Sequence, residues 1–277
     1  MNWIQSALMG FVSGLAEPMP LSAEAHRGLM SRLMGTGTVS PLFLLSCHLA
    51  VLIVVLLGGN LDIQRLRKTA KLLKTPARRR TGHTDLNSAG TLRLLRSAAI
   101  LAVAGRLLSY YMAESAYRLW LVAIPLVLGG FVIWAPTQMR TANKDGRHLT
   151  ALDGTFMGLG ALLAAIPGFS LVGCVTAFGS MLGAQRRYAV RFAWILLCIN
   201  LAAALVMDGL ALAGSGFTFQ LSELLSAGLG AAFAALGARI GIQLILSRIR
   251  SNAGDLTGFC YYNWGQALLC LVLFLLV

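Results

Sequence analysis

Ten consecutive residues, 17–26, hold most of the groups in this chain that could do chemistry. The stretch reads EPMPLSAEAH and carries Glu17, Ser22, Glu24 and His26 beside two prolines. Two carboxylates and an imidazole suit general acid–base work on a phosphoryl group, or the binding of a divalent cation by Glu17 and Glu24. Since Ser22 follows the prolines, it is also a candidate N-cap for a helix that starts after it. Capping alone is the competing interpretation of Ser22 and Glu24.

A second stretch, 166–173, has a similar arrangement without the charges. It reads IPGFSLVG, in which Pro167 and Gly168 interrupt an apolar run and Ser170 is placed to cap the helix that follows. The start of a helix presents free N–H groups and a partial positive charge, which suit a phosphate or a carboxylate. The two breaks are therefore the parts of the chain where an anionic ligand is expected.

The composition places both stretches in a membrane protein. Of the 277 residues 57% are hydrophobic and only 12% are charged, about half the charged fraction of a typical soluble domain. Several apolar runs approach the roughly 20 residues that cross a bilayer. The N-terminus lacks a basic region, so no cleavable signal peptide is predicted. The sequence thus predicts an all-α polytopic membrane protein.

The basic residues predict which ends of the apolar runs face the cytoplasm. The net charge is +13, and ten of the 23 basic residues lie between positions 65 and 96. That loop has no interleaved aromatic residues, so contact with anionic lipid headgroups is favoured over nucleic acid. The five cysteines are scattered without a CxxC pair, which is typical of small core residues.

The apolar runs and their breaks predict two repeats within one membrane domain, 1–136 and 151–277. All basic loops lie on one side only if both broken runs enter the membrane and return to the same face. The prediction is six transmembrane spans plus two re-entrant helical hairpins in an inverted-topology repeat, the first hairpin opening outside. Such broken elements usually meet and build a binding site. The hairpins are 2–34 and 151–183, and the spans are 41–59, 97–112, 118–136, 189–213, 221–247 and 260–277.

Both breaks resemble motifs of the bacterial undecaprenyl-diphosphate phosphatases, the bacitracin-resistance membrane phosphatases. The family's first motif reads roughly EGLTEFLPVSSTGH, where residues 13–26 read SGLAEPMPLSAEAH. Its second motif reads roughly PGFSRSG, where residues 167–173 read PGFSLVG. The matching residues are Gly14, Leu15, Glu17, Pro20, Ser22 and His26 in the first motif, and Pro167, Gly168, Phe169, Ser170 and Gly173 in the second.

The resemblance implies removal of the terminal phosphate of undecaprenyl diphosphate at the outer face of the bacterial plasma (inner) membrane, with a divalent cation, Mg or Ca, as cofactor. Glu17 would then bind metal or water, while Ser22 and His26 would act at the phosphoryl group. The backbone around Gly168, Phe169, Ser170 and Gly173 would hold the diphosphate.

The chain also departs from the family pattern. Ser13 and Leu171 stand where the family has its first glutamate and its arginine, and leucine cannot supply the bidentate hydrogen bonds of a guanidinium. Glu24 is a candidate to replace the missing carboxylate. Arg27 is a candidate to replace the missing guanidinium as a substrate-binding cation. His48 either lines the site or bonds a neighbouring carbonyl.

Two hypotheses of different classes remain. One is a polyprenyl-diphosphate phosphatase with an altered site, and the other is a non-catalytic protein that binds or translocates a polyprenyl phosphate. Arg106 and Asp208, which lie within or near span ends, are interpreted as snorkelling or paired between helices. A close helix-packing face, either internal or in a homodimer, is formed by Gly228, Gly230, Gly237 and Gly241.

Overall fold

The computed structural model describes residues 1–59, 63–75, 84–112, 115–116, 118–139, 143–216, 220–251 and 255–276. These residues form eleven α-helices and one short 3-10 helix, and no β-strand is found among them. The helices are α1 Trp3–Ala16, α2 Ala23–Met34, α3 Pro41–Gly58, α4 Ile63–Lys74, α5 Leu86–Met112, α6 Leu119–Trp134, α7 Ala151–Leu163, α8 Leu171–Met181, α9 Arg186–Gly214, α10 Leu221–Ser251 and α11 Thr257–Leu276.

Five of the described helices are long and apolar enough to cross a membrane, namely α3, α9, α10, α11 and α6 with its 3-10 extension. Each covers a predicted span to within a few residues. The sixth predicted span, 97–112, lies in α5, which is 27 residues long but contains three arginines and is not among the five. The prediction of an all-helical multi-pass membrane protein is therefore confirmed.

Both predicted breaks separate pairs of short helices. Residues 17–22 lie between α1 and α2, and residues 164–170 lie between α7 and α8. Each second helix starts at the predicted N-cap: Ala25 N–H donates to Ser22 Oγ (3.2 Å), and Gly173 N–H donates to Ser170 Oγ (3.1 Å). Because these oxygens satisfy free N–H groups of the first turns, the two helices can start inside an apolar environment.

The helices of the two halves pack on each other in matching pairs. Helix α1 packs on α10 and α7 packs on α5, while α10 also contacts α3 and α5 also contacts α9. Two further contacts join helices that hold the same position in each predicted repeat, α3 with α9 and α6 with α11. Every long helix thus has its main partner in the other half of the chain, which holds the two breaks together at the centre.

Glycines allow α1 and α10 to pack with their backbones in contact. A Cβ atom on Gly10 would lie 2.8 Å from Gly230 Cα, and one on Gly237 would lie 2.7 Å from Leu15 N. Small residues permit this close approach between membrane helices. Of the predicted glycine face, Gly228 alone would have no atom within 4 Å among the described residues. The face is therefore mainly internal, and the homodimer stays a prediction.

Candidate active site

The two breaks are joined by hydrogen bonds between their turns. Ser22 Oγ accepts a second bond, from Gly168 N–H (3.0 Å), and Ser170 Oγ donates to Met19 O (3.0 Å). Trp194 Nε1 on α9 donates to Pro18 O (2.8 Å). Both serines are buried. Since unpaired backbone groups are costly away from water, each break satisfies polar groups of the other. The predicted meeting of the two breaks is confirmed by these contacts.

Replacing Ser22 with alanine is expected to destabilise the protein by about 2 kcal/mol, because two buried N–H groups would lose their acceptor. Thermal unfolding in detergent measures the loss. The matched control is Ser46→Ala on α3, whose hydroxyl donates to Leu42 O of its own helix and whose removal leaves no buried donor unpaired. Equal unfolding temperatures for the two variants would contradict a role of Ser22 in joining the breaks.

The first turns of α2 face a group of charged side chains. Arg27 Nη1 lies 3.4 Å from Glu17 Oε1, and Arg27 Nη2 lies 4.0 Å from Glu24 Oε1. Arg106 on α5 extends the group, with Nη1 3.6 Å from Glu24 Oε1 and Nη2 3.9 Å from Asp208 Oδ1. These side chains are between 6% and 18% exposed. Because these side chains are largely removed from water, the opposite charges of their neighbours compensate the lost hydration of each group.

His48 completes the charged group from α3. Its Nδ1 lies 2.6 Å from Asp208 Oδ2 on α9, and its Nε2 lies 3.8 Å from Glu17 Oε1. His48 thus bonds a carboxylate and not a carbonyl, and it is almost fully buried. Its role in binding a ligand stays a prediction. Arg106 and Asp208 pair between helices as interpreted, but their membership in the site was missed. The available signal was their charge inside apolar runs.

Two adjoining cavities, here called together the carboxylate cavity, lie beside this group. They share Glu24, Arg106 and Ser109. One extends to the second break, where Phe169, Ser170 and Leu171 line it together with Glu17 and Ser22. The other extends past Arg27 and Asp208 to the ends of α3, α5 and α9. The structure therefore brings the two predicted carboxylates, Ser22, Arg27 and part of the second motif into one place.

His26 lies apart from these residues. Its Nδ1 is 2.6 Å from Ser22 O, and its Nε2 is 2.9 Å from the Tyr262 hydroxyl, with the two rings stacked at 5.6 Å. It lines a different space, the His26 cavity, together with residues such as Leu15, Met19 and Arg248. Glu17 and Glu24 therefore line one cavity and His26 lines another. Glu24 and Arg27 are three residues apart and share a helix face, whereas His26 is rotated about 200° from Glu24.

Three N–H groups of the predicted backbone cradle at the second break already have partners. Gly168 N–H donates to Ser22 Oγ, Phe169 N–H donates to Ile166 O (3.1 Å), and Gly173 N–H donates to Ser170 Oγ. Gly168 has φ +114°, and a Cβ atom there would lie 2.7 Å from Pro125 Cβ. Glycine at this position therefore serves the turn and its packing. A ligand at this end of the cavity would contact Phe169, Ser170 and Leu171.

The family assignment follows from comparison of the whole sequence. The family model for the bacitracin resistance protein BacA matches residues 6–269. This chain belongs to the BacA family.

The resemblance seen in the two motifs is thus confirmed over nearly the whole chain. BacA-family relatives include an undecaprenyl-diphosphatase of Nocardioides sp., 29% identical over 70% of this chain and 70% of its own length. The undecaprenyl-diphosphatase 1 of Shouchella clausii is 28% identical over 71% of this chain and 70% of its own. The undecaprenyl-diphosphatase of Carboxydothermus hydrogenoformans is 25% identical over 99% of this chain and 98% of its own.

The donor set does not fit the metal ion that the resemblance implies. Among the described residues, no three or more His, Cys, Asp or Glu side chains are grouped so that they could hold a metal ion. Glu17 and Glu24, the two predicted ligands, face guanidinium groups instead. A divalent cation in an oxygen-ligand site takes about six or more ligands. The divalent cation stays a prediction, and no step below depends on it.

Proposed function

We propose that this BacA-family chain is a phosphatase-like protein that acts on a polyprenyl diphosphate carrier lipid in the bacterial plasma membrane. The substrate is undecaprenyl diphosphate, and the site is altered by Ser13 and Leu171. The observation that carries the proposal is the carboxylate cavity, in which two guanidinium groups and the carboxylates of Glu17 and Glu24 lie beside the junction of the two breaks. Guanidinium groups are suited to phosphate oxygens, and a carboxylate is suited to accept a proton.

The proposed topology has six spans, with α1–α2 and α7–α8 as re-entrant hairpins of an inverted repeat. The matching helix pairs and the short broken helices support this arrangement. The rim of the carboxylate cavity includes Pro41 and Ala211, at helix ends opposite the basic loops. With the basic loops in the cytoplasm, this rim faces outside, where the first hairpin is expected to open.

The reaction assigned to the cavity is hydrolysis of the terminal phosphoanhydride bond. Glu24 is the proposed general base, because its Oε2 is buried and has no hydrogen-bond partner in the part of the chain that is described. It takes a proton from water as the water oxygen attacks the terminal phosphorus. The bond from this phosphorus to the bridging oxygen breaks, so that undecaprenyl phosphate and inorganic phosphate leave. Glu17 holds Arg27 in place beside the reacting phosphate.

The test is phosphate release from undecaprenyl diphosphate by the purified protein, compared with the double variant Ser13→Glu/Leu171→Arg. The two changes add one charge of each sign, so that the net charge of the site is unchanged. We expect slow release by the wild type and an increase of about tenfold or more in the double variant, because added groups that stabilise transition-state charge have effects of this size. The inactive control is the double variant Glu17→Gln/Glu24→Gln. If the folded wild type releases phosphate no faster than this control, the phosphatase proposal is contradicted.

A second candidate function is binding or translocation of a polyprenyl phosphate without hydrolysis. The specific observation in its favour is that the first turn of α2 separates two cavities, with Glu24 and Arg27 on one side and His26 on the other. The His26 cavity is mostly apolar and ends at Arg248 and Asp255. Hydrogen bonds from Thr257 hold the pKa of Asp255 below its usual range, so this end is charged at neutral pH.

The same preparation distinguishes the two candidates. For the translocation function we expect saturable binding of undecaprenyl phosphate and its movement between the leaflets of proteoliposomes, with no phosphate release. If the wild type releases no phosphate while Ser13→Glu/Leu171→Arg does, the result would favour this candidate, with the fold of a phosphatase that has lost its activity. Absence of both binding and movement would exclude it.

A further inference from the structure

The guanidinium of Arg106 is held in the carboxylate cavity without a close hydrogen-bond partner. Its two nearest carboxylate oxygens, on Glu24 and Asp208, lie at 3.6 and 3.9 Å, which is longer than a direct charge-assisted hydrogen bond. Its Nε is buried and has no partner among the residues that the structure describes. The side chain is only 13% exposed. A charged donor group with unused N–H bonds is costly in a membrane protein unless a ligand uses them.

The position of Arg106 links both parts of the cavity. It lines the part that reaches the second break and the part that extends past Arg27. At the second break, Leu171 is the first residue of α8 and lines the same part of the cavity as Arg106. An anion that enters between α5 and α8 therefore meets a leucine on one side and a guanidinium on the other.

We propose that Arg106 is the residue that binds the diphosphate of the lipid, so that the cation at the second break comes from α5 and not from α8. This inference rests on the proposed function of the cavity. A guanidinium presents parallel N–H groups that match two phosphate oxygens, and a diphosphate carries more negative charge than either carboxylate it displaces. When Arg106 turns to the phosphate, Glu24 loses its nearest guanidinium contact and is released to accept a proton.

The test measures binding, so that it does not depend on turnover. The probes are farnesyl diphosphate and inorganic pyrophosphate, titrated into the full chain in lipid nanodiscs and followed by calorimetry. We expect Arg106→Gln to weaken the binding of both probes by about ten- to a hundredfold, the range for a lost hydrogen bond to a charged group. The matched control is Arg96→Gln on the same helix, which is exposed and lines neither part of the cavity. It is expected to bind like the wild type.

Two further variants keep the test decisive if Arg106→Gln does not fold. Arg106→Lys keeps the charge near Glu24 and Asp208 but loses the planar fork, and is expected to bind about tenfold more weakly. Arg106→Leu/Leu171→Arg moves the guanidinium to α8 and is expected to recover most of the affinity. Thermal unfolding verifies that each variant is folded.

The outcomes separate this inference from the proposed function. If the wild type binds farnesyl diphosphate and folded Arg106 variants bind within twofold of it, the inference is overturned and the proposed function stands. If the wild type binds neither probe, both are overturned. If only pyrophosphate binding depends on Arg106, the site holds a free phosphate anion and the assignment to the lipid is overturned.

Discussion

Replacing Gly14 with valine is expected to leave no stably folded protein. A Cβ atom on Gly14 would lie 2.5 Å from Ala234 Cα on α10, so the obstacle is backbone that cannot move away by changing a rotamer. Overpacking of a well-packed interior usually costs about 1–3 kcal/mol, and a clash with backbone is expected at or above the top of this range. The loss is measured as the yield of monodisperse protein in detergent and as its unfolding temperature.

The matched control is Gly228→Val, on the helix that Gly14 contacts. A Cβ atom on Gly228 would have no atom within 4 Å among the described residues, so this variant is expected to fold normally. The yield and unfolding temperature of Gly14→Ala should lie between those of the two valine variants. Equal yields and unfolding temperatures for Gly14→Val and Gly228→Val would show that α1 does not pack on α10 in this way. The glycine belongs to the first motif, yet its role here is packing and not chemistry.

Replacing Glu24 with glutamine is expected to lower phosphate release by about a hundredfold or more, the usual contribution of a general base. The amide keeps the size of the side chain but cannot accept the proton from water. Glu17→Gln is expected to cost less, about tenfold, because in the proposed reaction Glu17 holds Arg27 in place and does not take the proton. Both rates are measured at saturating undecaprenyl diphosphate, with the probe affinities measured in parallel.

The control for Glu24→Gln is Glu223→Gln in the first turn of α10, which lies outside the lining of the cavity. It should release phosphate at the wild-type rate. A Glu24→Gln variant that is as active as this control would remove Glu24 as the base. A larger loss in Glu17→Gln than in Glu24→Gln would exchange the roles of the two carboxylates.

The proposed function includes an altered site, in which Ser13 and Leu171 stand in place of a carboxylate and a guanidinium. As proposed, these two departures would cancel in net charge. Ser13 Oγ is buried and has no hydrogen-bond partner in the described ranges. Glu24, Arg27 and Arg106 place charges of both signs in the carboxylate cavity.

The helical class, the breaks and the caps followed from local features of the sequence. Apolar length predicts a membrane helix, proline and glycine stop it, and a serine before the next apolar turn caps it; each of these effects acts over a few residues. For this reason the predicted caps Ser22 and Ser170 are found in the structure, and five long apolar helices lie where spans were predicted. The motif spacing was sufficient for the family, because both motifs lie at these local breaks.

The composition of the site was decided only by the tertiary structure. Each helix can rotate about its axis without changing its local sequence features, and packing on distant helices selects the face that points into the cavity. This selection places Glu24 and Arg27 in the carboxylate cavity and His26 against Tyr262, 236 residues away in sequence. The same packing joins His48 to Asp208 across 160 residues. No spacing rule predicts such pairs, since they depend on how α3, α5, α9 and α11 assemble around the two breaks.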